Sequence, residues 1–195
     1  MKNFLSATIV LLIGCIGFSF MYQQQNNTLK IKVVHTDTQY VCLPCGADCD
    51  NTVYKKSGTC PHCMMKLVDK ASIKFNNIEP DGICGLIKDM GEKNVVLLDV
   101  RTADEFNGKD KNRFGKLKGA INIPVQDLEK RIEELKQYKN KDIIVYCSHS
   151  HRSPQASYIL TQNGFKKVTN MELGMSQWKE KVKADDCSNK LYVKQ

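Results

Sequence analysis

The sequence has no dense run of basic residues, although its 195 residues include 29 Lys and Arg against 21 Asp and Glu. The resulting net charge of +8 is scattered along the chain. Proteins that bind nucleic acid concentrate their cations, so this distribution argues against a nucleic-acid partner. It indicates instead a solvated surface with some affinity for small anions or anionic lipid.

The chain also lacks the length for several full domains, and its cysteines do not form a framework spread over the sequence. One ordinary domain plus smaller appendages fits 195 residues, and 42% hydrophobic residues are adequate for a packed core. Of nine cysteines, five fall between Cys42 and Cys63, which predicts a local metal or disulfide site. We expect Cys84 to be a packed core thiol. Cys187 is expected to be unpaired in a loose polar tail, residues 184–195.

Residues 1–22 are apolar after a single early lysine and do not belong to the folded core. Three outcomes are open. The sequence LIGC at residues 12–15 resembles a bacterial lipobox and makes Cys15 a lipidation candidate; an uncleaved signal anchor is the second outcome, and a cleaved signal peptide is the third. All three place the remainder outside the cytoplasm. We expect membrane attachment facing the periplasm or exterior of a bacterium, with residues 23–39 as a linker.

Residues 40–70 contain two CxxC pairs separated by fourteen residues. Four thiolates from two such turns surround a soft divalent ion tetrahedrally, and the metal substitutes for the core that so small a module lacks. A pair of disulfides, which an oxidising compartment favours, is the alternative. We predict a zinc ribbon, or one for another soft divalent metal. Its predicted ligands are Cys42, Cys45, Cys60 and Cys63, with Cys49 as a further candidate.

This segment resembles the heavy-metal-binding domain of bacterial metal-transport proteins. The matching residues are YVC at 40–42 and GTCPHCMMKL at 58–67. The sequence departs from that family at Cys45, where a histidine is usual. The resemblance implies metal binding by residues 40–70.

Strand and helix signals alternate between residues 72 and 183, which is typical of an α/β fold with a parallel sheet and helices on both faces. Helices are expected after Pro80, after a cap at Thr102 or Asp104, at the repeat of Leu128, Ile132 and Leu135, and after Pro154. The predicted strands are residues 73–75, 95–100, 119–124, 143–146 and 168–171.

The stretch IIVYCSHSHRSP at residues 143–154 organises the prediction of function. Cys147 ends a buried strand and begins a polar loop that leads into a helix with Pro154 in its first turn. Ligands of open α/β sheets bind at such strand ends, and a helix N-terminus stabilises anions. A thiol held there is expected to react as a thiolate. An inert core cysteine would leave the polar loop and Arg152 unexplained.

The segment from residue 72 to about 181 resembles a rhodanese-like domain. The resemblance rests on LLDVR at 97–101, EF at 105–106, GAINIP at 119–124, CSHSHRS at 147–153, GF at 164–165, and GM at 174–175 with Trp178. It implies sulfur transfer without a cofactor: Cys147 takes a sulfane sulfur from a thiosulfate- or persulfide-type donor. Cys147 then holds that sulfur as a persulfide and passes it to a thiol or cyanide-like acceptor.

The loop from Cys147 to Arg152 has six residues, the length that resembles sulfurtransferases of this fold, whereas related phosphatases have one residue more. A compact loop of backbone N–H groups stabilises a persulfide anion. Arg152 either binds an anionic donor or braces the loop against an acidic side chain. The predicted substrate and anion loop is Ser148, His149, Ser150, His151 and Ser153, and its predicted supports are Asp99, Arg101 and Glu105.

Several residues depart from the rhodanese-like pattern. Ser150 and Leu173 replace glycines, and residues 107–118 form a basic insertion expected near the mouth of the site. His149 and His151 either attract anions or are simply exposed loop residues. These departures keep an alternative open, in which the domain is a non-catalytic module of a metal-binding or metal-sensing envelope protein.

Overall fold

The structure is a computed structural model that describes residues 38–195. The predicted apolar segment, the lipidation candidate Cys15 and nearly all of the predicted linker lie outside the described residues. Within residues 38–195, no helix is both long and apolar enough to cross a bilayer.

The Cys-rich segment begins with three short antiparallel strands, β1 (Tyr40–Val41), β2 (Val53–Tyr54) and β3 (Val68–Asp69), with β1 in the middle. A 3-10 turn at Asp48–Asn51 carries Cys49. Apolar side chains of this segment pack into the core of the following domain, because so small a sheet cannot bury them by itself. They are Val41, Leu43 and Val68.

A five-stranded parallel sheet in the order β4-β9-β8-β5-β7 forms the centre of the molecule, and β6 pairs with β10 in a separate antiparallel ribbon. These strands are β4 (Asn76–Ile78), β5 (Val95–Asp99), β6 (Lys116–Leu117), β7 (Ile121–Asn122), β8 (Asp142–Tyr146), β9 (Val168–Met171) and β10 (Tyr192–Val193). The α-helices are α1 (Ile83–Met90), α2 (Ala103–Phe106), α3 (Val125–Leu128), α4 (Arg152–Gln162), α5 (Trp178–Lys181) and α6 (Asp186–Leu191).

Successive side chains of β5 and β8 point to opposite faces of the sheet, and both faces are buried. On β8, Ile143 and Val145 pack with α3 and α4, whereas Ile144 and Tyr146 pack with α1 and Trp178. This two-sided burial confirms the predicted parallel sheet with helices on both faces.

Two predicted elements begin later than expected. The strand predicted at residues 73–75 is displaced to Asn76–Ile78, whose residues pair with β9. Ile73 and Phe75 precede it and contribute their side chains to the core without joining the ladder. The helix predicted from Pro80 starts with a 3-10 turn at Pro80–Gly82 before α1 begins.

The expectation of a loose tail with an unpaired Cys187 is wrong. Cys187 forms a disulfide with Cys84, so the expectation of a core thiol at Cys84 is wrong as well. Residues 186–193 form α6 and β10 because Tyr192 and Leu191 pack against Trp178 and Leu117 on one face of the sheet.

Candidate active site

Cys147 follows β8 at its carboxyl end and is 1% exposed. Its Sγ lies 3.4 Å from the hydroxyl oxygen of Ser153, in the first turn of α4. Among residues 38–195, no side chain caps this helix terminus at His151, so its first N–H groups remain available to an anion. The strand end therefore presents a thiol beside the positive end of a helix dipole.

Arg152 braces the loop. Its Nη1 and Nη2 donate to the two carboxylate oxygens of Glu105 at 2.6 and 2.7 Å, and Nη2 also donates to the Ser148 hydroxyl at 2.7 Å. Glu105 is held in turn by Thr102, whose N–H donates to Oε2 at 3.0 Å in the capping box that starts α2. The guanidinium thus ties the reactive loop to α2, and of the two acidic partners considered from sequence it pairs with Glu105.

Asp99 and Arg101 form a separate ion pair that is 0% and 1% exposed. Arg101 Nη2 donates to Asp99 Oδ2 at 2.6 Å and to the Gly115 carbonyl at 2.9 Å. Asp99 is therefore committed to Arg101, and the pair links the end of β5 to the insertion. The pair thus stabilises the insertion that borders the reactive loop and makes no hydrogen bond to Cys147 itself.

A second loop crosses directly over the backbone of Cys147 and Ser148. The N–H groups of Met175 and Ser176 donate to the carbonyls of Cys147 and Ser148 at 2.9 and 3.0 Å. Gly174, at φ +68°, lies so close that an added Cβ would be 2.4 Å from the Ser148 carbonyl carbon. This packing fixes the backbone on which the nucleophile is carried.

Ser150 and Leu173, which replace glycines of the rhodanese-like pattern, both adopt left-handed backbone conformations with φ +66° and +62°. A side chain in that region costs about 1–2 kcal/mol. The two loops therefore keep the backbone conformation that glycine would adopt, and each carries local strain.

The mouth of the site carries the predicted histidines and the basic insertion. His149 and His151 are exposed, and the Phe114 ring of the insertion packs edge-on against His149 with centroids 5.2 Å apart. Four cations of the insertion are also exposed: Lys109, Lys111, Arg113 and Lys118. The insertion thus lies next to the reactive loop, as expected from sequence.

The Glu105–Arg152 pair makes the free energy of unfolding depend on pH in the acidic range. Hydrogen bonds from Arg152 lower the pKa of Glu105 from 4.5 to about 2, although partial burial opposes this. Because the folded pKa is depressed, the stabilisation is present above pH 4.5 and is lost as the pH falls towards 2. We expect urea unfolding at a series of pH values to show this loss in the wild type.

Glu105→Gln removes the titrating carboxylate and leaves Arg152 without its counter-charge, at a cost of about 2 kcal/mol near neutral pH. The variant is expected to lose the wild-type slope between pH 4.5 and 2. Glu134→Gln is the matched control, because the Arg131–Glu134 pair is exposed and contributes little. An unchanged slope in Glu105→Gln would contradict the assignment.

The rhodanese-like domain family matches residues 85–181. The protein YqhL of Bacillus subtilis is 35% identical over 94 residues, which are 48% of this chain and 68% of YqhL. The chain belongs to the rhodanese-like domain family. A sulfurtransferase of Allochromatium vinosum is 28% identical over 103 residues, 53% of this chain and 87% of that protein.

Other relatives share this rhodanese-like region within longer proteins. The tRNA uridine(34) hydroxylase of Buchnera aphidicola is 34% identical over 90 residues, 44% of this chain and 27% of that enzyme. Among solved structures, a rhodanese-related protein from Thermoplasma volcanium is 27% identical, with a TM-score of 0.43, covering 54% of this chain and 92% of that one. The family match and the sulfurtransferase relative support a sulfurtransferase family for residues 85–181. The family match does not reach the Cys-rich segment, whose resemblance to heavy-metal-binding domains stays a prediction.

The Cys-rich segment brings four sulfurs within 4.8 Å of one another, and the set differs from the predicted one. Its members are Cys42, Cys45, Cys49 and Cys63. Cys49 joins because Asp50 accepts hydrogen bonds from the N–H groups of Cys45 and Gly46, which folds the 3-10 turn back over Cys45. Cys60 is fully buried next to Cys42, Cys49 and Cys63 but does not lie within 4.8 Å of all four sulfurs, and its own sulfur is 3.9 Å from the Tyr54 hydroxyl.

The thiols of this cluster differ in acidity. Burial raises the pKa of Cys42 and of Cys45. Burial also opposes ionisation of Cys60, but hydrogen bonds from the N–H groups of Cys63 and His62 lower its pKa to about 6. In a tetrahedral zinc site with bonds of about 2.3 Å the sulfurs lie about 3.8 Å apart. The Cys45–Cys49 separation of 3.6 Å is close to this value, whereas Cys42 and Cys63, at 3.0 Å, would have to move apart to bind the metal.

Sequence reasoning did not find three features around the site. Phe114 lies in an insertion whose sequence does not indicate its contact with His149, and the contact of Gly174 with Ser148 depends on the crossing of two loops distant in sequence. The Cys84–Cys187 disulfide had a detectable signal: these two cysteines remain once the cluster, Cys15 and Cys147 have been assigned.

Proposed function

We propose that the protein is a sulfurtransferase that carries a sulfane sulfur as a persulfide on Cys147. The observation that carries the proposal is the buried thiol at the end of β8, beside the uncapped N-terminus of α4, in a six-residue loop braced by Arg152. This environment stabilises a negative charge on sulfur without a metal or organic cofactor. The family and its sulfurtransferase relatives support the same chemistry.

With thiosulfate as donor, the Cys147 thiolate attacks the outer sulfur. The bond between Cys147 and that sulfur forms, the sulfur–sulfur bond of thiosulfate breaks, and sulfite leaves with the electron pair. In the second half-reaction an acceptor such as cyanide or a thiolate attacks the terminal sulfur of the persulfide. Thiocyanate or a new persulfide leaves, and the Cys147 thiolate is restored.

Three of the five N–H donors of Arg152 are taken by Glu105 and Ser148, so Arg152 mainly braces the loop, and other groups are needed to bind the anionic donor. The N-terminus of α4 supplies one positive end. The exposed cations of the insertion attract the anion as it approaches the mouth of the site. Ser153, 3.4 Å from Cys147 Sγ, is placed to donate a hydrogen bond to the thiolate.

Intact-protein mass spectrometry tests the proposal directly. Protein incubated with thiosulfate is expected to gain the mass of one sulfur atom, and cyanide is expected to remove it with formation of thiocyanate. Protein that never gains sulfur from thiosulfate or from a small-molecule persulfide would contradict the proposal. That outcome favours the alternative of a non-catalytic module, to which the strained Ser150 and Leu173 give some support.

We also propose that the protein acts outside the cytoplasm, attached to a membrane through its N-terminal segment. The apolar composition of residues 1–22 motivates this proposal. The Cys84–Cys187 disulfide supports it, since disulfides persist mainly in oxidising compartments. The expected partners are a small anionic sulfur donor and a thiol or cyanide-like acceptor. Cell fractionation with protease protection of the chain checks the location.

The Cys cluster is proposed to hold zinc or another soft divalent metal, which would stabilise the ribbon fold. We expect purified full-length protein to contain about one equivalent by elemental analysis. Cys49→Ser is expected to lose metal and Cys60→Ser to retain it, because Cys49 belongs to the set of four mutually close sulfurs. The reverse result would restore the ligand set predicted from sequence. Metal-free protein with oxidised cluster thiols would contradict the metal proposal.

A further inference from the structure

The Cys84–Cys187 disulfide takes no part in the chemistry described above, yet it determines where the C-terminal segment lies. It joins α1 to α6 across 103 residues of sequence. A helix of only six residues, such as α6, is marginally stable by itself. Its position therefore depends on the cross-link, on the Asp185 capping box and on packing. We call residues 186–193, which comprise α6 and β10, the C-terminal strap.

The strap holds residues 114–118 of the insertion in place. Tyr192 and Val193 pair with Leu117 and Lys116, and the Lys118 N–H donates to the Leu191 carbonyl at 2.7 Å. The Tyr192 hydroxyl donates to the Phe114 carbonyl at 3.1 Å. At Gly115 an added Cβ would lie 2.4 Å from that hydroxyl oxygen, so the two segments are in close contact.

Residues 114–118 connect the strap to the reactive loop. The Phe114 ring packs against His149, two residues after Cys147. The Gly115 carbonyl accepts from Arg101, which is paired with Asp99 at the end of β5. A continuous set of contacts therefore leads from the disulfide to the mouth of the active site.

The disulfide is accessible to a reductant. Cys84 and Cys187 are both half-buried, and Cys187 lines a cavity of about 860 Å³. Three lysines and two acidic residues, Glu92 and Asp186, also line this cavity, which leaves a small excess of positive charge for an approaching thiolate. The lysines are Lys118, Lys141 and Lys190.

We propose that the Cys84–Cys187 disulfide is a redox switch that controls capture of the anionic sulfur donor at Cys147. A thiolate of a dithiol reductant attacks one sulfur, and the bond between Cys84 and Cys187 breaks. The second thiol of the reductant then resolves the mixed disulfide, leaving two cysteine thiols and an oxidised reductant. Reduction frees the strap, loosens residues 114–118 and releases the packing of Phe114 against His149, so the basic insertion is no longer held at the mouth of the site.

This inference rests on the proposed sulfur transfer, but its structural half can be measured without turnover. Full-length protein is compared in the oxidised form, after dithiol reduction and removal of the reductant, and as the Cys84→Ser/Cys187→Ser variant. Hydrogen exchange at the Lys118 N–H reports the strap. Thiosulfate:cyanide kinetics report the active site, because cyanide as acceptor avoids competition from added thiols. Asn189→Ala, an exposed position on the same helix, is the control variant.

We expect exchange at Lys118 to accelerate at least about tenfold in the reduced and serine forms. The KM for thiosulfate is expected to rise about fivefold, with a smaller change in kcat. Exchange that is equal in all forms would overturn the proposal, and so would faster exchange with unchanged KM. Absence of turnover in every form, the oxidised wild type included, would contradict the sulfurtransferase proposal instead. The exchange rates would then still show whether the disulfide holds the strap in place.

Discussion

Cys147→Ser is expected to lower thiosulfate:cyanide turnover by at least about a thousandfold, because the hydroxyl that replaces the thiol cannot form or release a persulfide. Cys147 is buried, at 1% exposure, but serine is close to cysteine in size, so the fold is expected to persist. Initial rates of thiocyanate formation measure the loss. Mass spectrometry of the same variant should detect no added sulfur after incubation with thiosulfate.

Ser157→Ala is the matched control for this substitution. Ser157 is buried in α4, the helix that follows the reactive loop, and its hydroxyl has no hydrogen-bond partner within residues 38–195. Turnover is therefore expected to be unchanged in this variant. Persistent turnover in Cys147→Ser would show that Cys147 is not the nucleophile and that another thiol carries the sulfur. Loss of turnover in both variants would indicate a general sensitivity of α4 rather than a covalent role for Cys147.

Much of the sheet could be predicted because its signals are local. The strands β5 and β8 are short continuous apolar runs, and both of their faces are buried as such runs require. Thr102 caps α2 as its sequence context indicates, and Glu105 three residues later completes the capping box. From the sequence, Arg152 either binds an anionic donor or braces the loop against an acidic side chain, and the fold shows it paired with Glu105 while Asp99 pairs with Arg101.

The remaining features depend on contacts between residues far apart in sequence. The tail appears polar from residue 183 onwards, and nothing local indicates that Tyr192 stacks on Trp178 or pairs with Leu117. The cluster likewise takes in Cys49 because Asp50 folds the intervening turn, which the CxxC spacing alone does not reveal. The CxxC spacing predicts that cysteines come together, whereas hydrogen bonds in the intervening turn determine which of the cysteines become neighbours.

Gly174→Ala is the second substitution with a large expected effect. The added Cβ would lie 2.4 Å from both the carbonyl carbon and the carbonyl oxygen of Ser148, and 2.7 Å from the Cys147 carbonyl oxygen. These are backbone atoms, so no side-chain rotation relieves the clash, and φ +68° adds strain of its own. We expect a loss of about 3 kcal/mol or more in the free energy of unfolding.

Turnover is expected to fall about a hundredfold, since the Cys147 backbone must move and small displacements of reacting groups are costly. The matched control is Gly164→Ala, which lies just after the C-terminus of α4, at the end of the helix away from the Cys147 loop. Gly164 has a similar φ of +83°, but its nearest neighbour is the flexible Lys139 Nζ at 3.8 Å. That variant should show only the backbone strain of about 1–2 kcal/mol and normal turnover. Equal effects of the two substitutions on stability and turnover would mean that backbone conformation, and not the contact of Gly174 with the Cys147 loop, determines the loss.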